Sequence, residues 1–292
     1  MNIERDFKVY EINGETKHLG IFGDPVEHSF SPKMHNFISG YMGNNYVYGA
    51  YLVRKEELEK AIEGLRAMNF SGVNITAPHK VDVMKYVDVL SEKATLFQSV
   101  NTIVNKNGVL YGYTTDADGF YESLKRIGCN IKDKNVLFIG AGGATRPVVS
   151  LFAMEGAKSI TIKNRTKEKA EIIAKHVKET LEYDVNCELL LSHYDVVINT
   201  TPIGMYPEVD AMPEFDMSLI DETSYVADMI YNPSVTELMH QGISNGAKAV
   251  NGLYMLVSQA LKSESIWNEE PFNSKIADKI YEELKASFEK EN

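Results

Sequence analysis

Cysteine is scarce in this 292-residue chain: Cys129 and Cys187 stand far apart and form no Cys-x-x-Cys pair. Two such residues supply neither a disulfide framework nor a zinc-type cluster. His28, His35 and His79 are not at metal-ligand spacing and read as structural, so no metal is expected. No apolar run approaches the roughly 20 residues that would span a bilayer. The opening Met1-Asn2-Ile3-Glu4-Arg5-Asp6 is charged and lacks the apolar stretch of a signal peptide. A reducing, cytoplasmic setting with no membrane partner is therefore expected. Positive charge is also short, since 30 Lys+Arg against 41 Asp+Glu gives 30 − 41 = −11. Nucleic-acid affinity comes largely from neutralising phosphates, so a nucleic-acid partner is not expected. An anionic ligand would have to meet a local basic patch. There is no internal repeat and no low-complexity segment.

What is present is an alternation of short β-rich runs with helical ones, the pattern of layered α/β folds. The length favours two domains over one. Strands are expected at 18–23, 46–53, 72–76, 101–105 and 109–113. Helices are expected at 31–42, with Ser31 as N-cap and Pro32 at the first helical position, at about 55–68 and at 116–128. Asn135-Val136-Leu137-Phe138-Ile139 is continuously apolar, as a strand buried on both faces should be. A glycine turn and a helix to about 155 follow. Then come a strand at 158–163, a helix at 166–182, and strands near 187–191, 195–199, 225–229 and 247–250. A helix follows Gly252. The tail at 272–289 places Ile276, Ile280, Leu284 and Phe288 on one helical face. Residues 117–251 thus read as an inserted Rossmann-type, doubly wound domain. Residues 1–116 with 252–292 form an α/β substrate domain to which the C-terminal helices return, and ligands are expected in the cleft between the two.

The glycine turn Gly140-Ala141-Gly142-Gly143-Ala144 follows a buried strand and opens a helix, which is the context of a dinucleotide site. The first glycine permits the tight turn, and the second lets the backbone approach a pyrophosphate held at the helix N-terminus. Thr145 takes the third position of the fingerprint, and Pro147 falls in the first turn where its missing donor costs little. An NAD site usually places a carboxylate at the end of the next strand. This chain has Lys163-Asn164-Arg165-Thr166-Lys167 there instead. Arg165 suits a 2′-phosphate, with Thr166 supplying a hydroxyl and capping the helix that follows, so NADP is the expected cofactor.

A second polar constellation lies at other strand ends. Asn74-Ile75-Thr76-Ala77-Pro78-His79-Lys80 closes an apolar strand, and a lysine held there can act as a point charge, a proton donor or a Schiff-base nucleophile. Gly23-Asp24-Pro25-Val26-Glu27-His28-Ser29-Phe30-Ser31-Pro32-Lys33-Met34-His35-Asn36 follows the first strand. Together these segments closely resemble the shikimate dehydrogenase family. The resemblance continues through Val100-Asn101-Thr102, Thr115-Asp116, the Gly140 turn, Asn164-Arg165-Thr166, Thr200-Thr201-Pro202-Ile203-Gly204-Met205 and Asn251-Gly252-Leu253-Tyr254-Met255-Leu256-Val257-Ser258-Gln259. It covers nearly the whole chain, in order.

The resemblance implies reversible, NADPH-dependent reduction of 3-dehydroshikimate to shikimate, the fourth reaction of the pathway to chorismate and the aromatic amino acids. It implies Lys80 and Asp116 as the catalytic pair, with Ser29 and Ser31 on the substrate carboxylate. Asn74, Thr76, Asn101 and Gln259 are implied at the ring hydroxyls, and Tyr231 as a wall of the same pocket. The implied cofactor set is Gly140 to Ala144, Asn164, Arg165, Thr166 and Lys167, with Thr200, Met229 and Gly252. The family usually has Asn where this chain has Thr114, and many members have Gly where it has Tyr254; both differences are assigned to the pocket rim. A quinate or dual quinate/shikimate dehydrogenase is the nearest alternative, and a non-catalytic NADP- or shikimate-sensing regulator is the alternative of another class. A monomer or homodimer is expected.

Overall fold

The computed structural model describes residues 11–291, with side chains through residue 286; the charged opening segment and the Phe288 side chain lie outside the described residues. The chain divides into two compact units. The first runs to Thr115 and resumes at Ala260–Ile280; the second is Asp116–Gln259 with the chain from Tyr281 onward.

In the first unit, chain order is β1 (Lys17–Gly23), α1 (Ser31–Met42), β2 (Tyr46–Leu52), α2 (Leu58–Ala67), β3 (Gly72–Ile75), β4 (Val89–Leu90), α3 (Glu92–Phe97), β5 (Thr102–Lys106) and β6 (Val109–Tyr113). The six strands form one sheet in the order β2-β1-β3-β5-β6-β4. β1 lies parallel to β2 and β3, whereas β5 runs antiparallel to both of its neighbours. Side chains alternate across a strand, so β1 feeds two cores. Phe22 joins Val73, Ile75 and Ile103 against the α2 residues Leu58, Ile62 and Leu65. Leu19 and Ile21 join Val26 and Tyr48 on the other side. Spacing of 58, 62 and 65 gives α2 one apolar stripe, and each such burial contributes about 1.5–3 kcal/mol.

The second unit begins with α4 (Asp116–Arg126) and continues through β7 (Asn135–Ile139), α5 (Thr145–Met154), β8 (Ser159–Lys163), α6 (Lys167–Leu181), β9 (Val185–Asn186), β10 (Val196–Asn199), β11 (Tyr225–Asp228), α7 (Glu237–Ser244) and β12 (Lys248–Val250). Its sheet is ordered β12-β11-β10-β7-β8-β9, and every pairing is parallel. Counting its strands from β7, this is the doubly wound order 3-2-1-4-5-6, whose topological switch point lies between β7 and β10. β7 is buried on both faces, as its apolar run requires: Leu137 and Ile139 face one core, while Phe138 packs against Phe152 on the other, the rings tilted at 51°. α8 (Leu253–Asn268) and α9 (Ser274–Glu291) complete the chain, each divided between the units.

Two local expectations fail for identifiable reasons. The strand placed at 187–191 is absent, because β9 stops at Asn186. Beyond it, Glu188 is turned outward to Lys167, Leu189 and Leu190 are exposed, and only Leu191 packs against the core. Ser31 is not the N-cap of α1. That position belongs to Phe30, and the backbone N–H of Ser31 donates to the Ser29 hydroxyl at 3.3 Å. Shifting the cap by one residue frees the Ser31 hydroxyl from the helix end.

Candidate functional site

In the first unit the site grows from two parallel strand ends. Ile21 pairs with Asn74 and Phe22 with Ile75, so the chain leaves β1 and β3 side by side. Backbone bonds from Thr76 to Phe22 (2.9 Å) and from Asp24 to Ala77 (3.1 Å) keep the exits together. Gly23 is required there, because a Cβ would occupy the place of the Thr76 methyl. His79 is fully buried and its Nε2 donates to the Val53 carbonyl at 2.6 Å, which pins the turn carrying Lys80. Its Nδ1 has no partner, and the ring serves to hold the turn. The Lys80 carbonyl accepts from Val100 at 2.8 Å, next to Asn101.

Behind these exits lies a buried polar network. Tyr48 donates to Asn74 Oδ1 at 2.7 Å. Asn74 Nδ2 faces the Asn101 carbonyl, Thr102 Oγ1 and Ser263 Oγ at 3.0–3.1 Å. Asn101 in turn holds Thr115, accepting from its N–H and donating to its hydroxyl, both at 2.9 Å. Ser29, Ser31, Asn74, Thr76, Lys80 and Asn101 therefore share one corner of this unit. The Asn74 amide is spent on internal partners at both ends. Buried polar groups must be satisfied, and a network satisfied this fully fixes its members in place.

Sequence reasoning missed Tyr48, Thr102 and Ser263, together with the pair beneath them. His35 Nδ1 meets Glu264 Oε1 at 2.8 Å with both side chains 1% exposed, and the His35 ring stacks on Tyr48 at 4.2 Å and 2°. Burial first, and the Glu264 charge second, hold the Tyr48 phenol well above the ordinary tyrosine pKa. Strand alternation placed Tyr48 on a buried face, and Ser263 follows Gln259 by one helical turn; neither signal names a partner.

In the second unit the site is built at the switch point. Gly140 has φ +114°, and a Cβ there would stand 2.5 Å from Thr200 Oγ1. Gly140→Ala is expected to cost about 1–3 kcal/mol through backbone strain. A lower midpoint of urea unfolding checks this, and an unchanged midpoint would mean that the turn relaxes. Thr145 stands in the third fingerprint position: its hydroxyl reaches the Gly140 carbonyl at 3.3 Å and Thr200 Oγ1 at 2.8 Å, tying the turn to the end of β10. Ala141 donates to Asn164 Oδ1 at 3.1 Å, which ties it to the end of β8. Thr166 holds the N-cap position of α6 but makes no capping bond with its side chain; Asn164 Nδ2 takes the Thr166 carbonyl at 2.7 Å.

Two cavities flank this turn and share Thr201 and Pro202. One, of about 540 Å³, is lined by Gly140, Lys163, Asn164 and Arg165; the other, of about 560 Å³, by Gly142, Gly143, Thr200, Met229 and Tyr231. Nothing stands within 4 Å of a Cβ on Gly143, so the helix entrance is open to a diphosphate. Lys163 is held by the Glu214 carbonyl and carboxylate, and Lys167 by Glu188 and Glu171. Arg165 is exposed and has no ion pair among the described residues. A dinucleotide carrying a 2′-phosphate fits this set of donors, with Arg165 at one end and Tyr231 at the other.

Asp116 is buried at the start of α4. α4 packs against α8 where Gly119 leaves room for Gln259, whose backbone nitrogen would lie 2.8 Å from a Cβ. Gln259 Nε2 donates to the Leu256 carbonyl at 3.0 Å. Gly252 passes the Met229 carbonyl too closely for any side chain. Burial raises the Tyr231 phenol pKa. Of the two departures, Thr114 has a buried hydroxyl without a partner. Tyr254 is 3% exposed and turned away into a cluster with Tyr281, with Arg126 lying over both rings. Both thiols are free, and burial pushes Cys129 up to about 12, leaving it protonated and unreactive. Among the described residues no cluster of His, Cys, Asp or Glu could hold a metal ion, and no helix is long and apolar enough to cross a membrane.

Comparison with known proteins agrees with both units. The profile of the shikimate dehydrogenase substrate binding domain matches residues 21–103, and that of shikimate / quinate 5-dehydrogenase matches residues 122–205. The shikimate dehydrogenase (NADP(+)) of Alkaliphilus oremlandii is 40% identical over 269 residues, covering 89% of this chain and 94% of its own. A shikimate dehydrogenase crystallised in complex with NADP+ superposes with a TM-score of 0.86 at 39% identity, covering 94% of this chain and 97% of that one. The shikimate 5-dehydrogenase of Listeria monocytogenes, in complex with shikimate and NAD, gives 0.86 at 32% identity over 96% of this chain and 100% of its own. On the strength of the profile matches and of this identity over nearly the full length, the chain belongs to the shikimate dehydrogenase family.

Proposed function

We infer that this protein is an NADP-dependent dehydrogenase that interconverts 3-dehydroshikimate and shikimate on the route to chorismate. The observation that carries the reading is the pairing of two complete sets of residues. The buried Tyr48–Asn74–Asn101 network backs the substrate corner, and Arg165 lines a cavity with Lys163, Asn164 and Glu214, while β8 itself ends without a carboxylate. Bound NADPH would supply the hydride. Lys80 and Asp116 handle the proton on the reacting oxygen, and the positive charge of Lys80 stabilises the alkoxide that develops there. Ser29 and Ser31 receive the carboxylate, while Thr76, Asn101 and Gln259 meet the ring hydroxyls. Asn74, spent on Tyr48, Thr102 and Ser263, contributes by holding this surface in register. Tyr231 is read as a further substrate-binding residue. A cytoplasmic monomer or homodimer with residues 1–116 and 252–292 as the substrate domain belongs to the same reading.

Initial rates of oxidation of shikimate and quinate, each with NADP and with NAD, test it directly. Activity confined largely to shikimate with NADP is expected. Strong quinate turnover would overturn the assignment of the serine corner, and no turnover with any pair would move the sensing alternative ahead. Arg165→Ala is expected to weaken NADP by roughly ten- to a hundredfold, the scale of a lost charge-assisted hydrogen bond, while NAD is little changed. Equal losses for both cofactors would remove Arg165 from 2′-phosphate recognition.

A further inference from the structure

Asp228, the last residue of β11, is 0% exposed. Its Oδ1 accepts from Asn199 Nδ2 at 3.2 Å and from the Ile230 N–H at 3.0 Å. Oδ2 accepts from Asn199 Nδ2 at 3.0 Å and from the Thr236 hydroxyl at 2.8 Å. No cation lies within ion-pair distance among the described residues. Burial pushes this carboxyl above the usual range, and its donors oppose that shift. A carboxylate kept in such a place without a countercharge is there for the donors it organises.

Asn199 ends β10, and backbone groups alone fix the sense of its amide. Oδ1 accepts from the Thr201 N–H at 2.9 Å, and Nδ2 donates to the Ile203 carbonyl at 3.2 Å. Turning the amide over would set donor against donor at Thr201 and acceptor against acceptor at Ile203. The group facing Nδ2 must therefore accept only, and an ionised carboxylate is that group. The two side chains form a hub. One arm holds the chain at 200–203 and the other the chain at 229–236. Both segments line the 560 Å³ cavity, Thr200 and Thr201 from the first and Met229 and Tyr231 from the second, together with Gly142 and Gly143.

We propose that Asp228, acting through Asn199, is a positioning residue that holds the two walls of the nicotinamide end of the cofactor site at their working separation. The inference rests on the NADP reading above: with the 2′-phosphate at Arg165 and the diphosphate at the glycine turn, the cavity beyond the turn receives the nicotinamide. Adenosine 2′,5′-bisphosphate occupies only the Arg165 half, so it separates the two ends. In Asp228→Asn, either placement of the new amide opposes an N–H to Asn199 Nδ2. Thr236→Val removes one donor from Asp228 together with the cap of α7, and leaves Asn199 paired, giving a milder variant at the hub should the first fold poorly.

Titration calorimetry of the whole protein with NADPH and with the bisphosphate provides the test. Asp228→Asn is expected to weaken NADPH by about tenfold or more, as for one well-formed hydrogen-bonded contact, and to leave the bisphosphate within about twofold. Thr236→Val should weaken NADPH by about threefold with the same selectivity. Equal weakening of both ligands, or NADPH binding unchanged in both variants, overturns the proposal. Wild-type protein that fails to bind the bisphosphate would instead overturn the cofactor reading, and the inference with it.

Discussion

Lys80→Ala is expected to lower the turnover of shikimate by about a hundredfold or more, the usual scale for a positioned acid–base group. The backbone around this lysine is fixed independently of its side chain. His79 is anchored to the Val53 carbonyl, and the Lys80 carbonyl is held by Val100. Truncation should therefore remove the ammonium group without moving the turn, so the loss should fall on kcat more than on KM for NADP. Lys80→Arg separates charge from proton transfer, because a guanidinium keeps the positive charge yet does not release a proton near neutral pH. Shikimate affinity is expected to survive in that variant while turnover stays low. Near-normal turnover in Lys80→Ala would take Lys80 out of the mechanism.

The second large effect concerns stability. Glu264→Ala removes one partner of a pair whose other member, His35, is just as deeply buried. Breaking a buried pair from one side typically costs about 3–5 kcal/mol, since the remaining polar group loses its partner in a place water does not reach. His35 Nδ1 would be stranded, its Nε2 already having no partner, and Tyr48 would lose the ring that stacks against it only by a shift of His35. A drop of about 3 kcal/mol in urea unfolding, with an unchanged slope, is the expected result. Glu264→Gln keeps the shape and an acceptor oxygen, so about 1 kcal/mol is expected there. A loss below about 1 kcal/mol in Glu264→Ala would mean that the pair contributes little to the fold.

Much of this architecture was legible because it rests on periodicity and local chemistry. The unbroken apolar run of β7 announces burial on both faces, and the glycine turn that follows requires a positive φ that the structure supplies at Gly140. Ser91 and Thr236 cap α3 and α7 with their side chains, yet both helices are short, and a capping residue before six or eight residues is a weak signal. The strand expected at 187–191 shows the opposite error: three leucines read as strand, but β8 offers β9 pairing for only two residues. The site divides in the same way. Ser29, Thr76, Lys80, Asn101 and Arg165 stand in compact motifs that a linear reading can catch. The links that hold them do not. Tyr48 to Asn74 spans 26 residues, Asn74 to Ser263 spans 189, and His35 to Glu264 spans 229. Only the folded chain brings such partners within hydrogen-bond reach, and a glutamate on a helix otherwise reads as solvent-facing.

The docking of α8 on the first sheet has an optical consequence. Trp267 is the single tryptophan of the chain; its indole N–H donates to the Ile103 carbonyl at 3.0 Å, and its ring lies 5.4 Å from that of His35. Gly72 leaves the space that the indole fills. Indole emission therefore reports on the first unit alone. The second unit, which has no tryptophan of its own, is silent at that wavelength until reduced nicotinamide lights it from within. One fluorimeter cell with two excitation wavelengths thus follows the melting of each half separately, with no label attached.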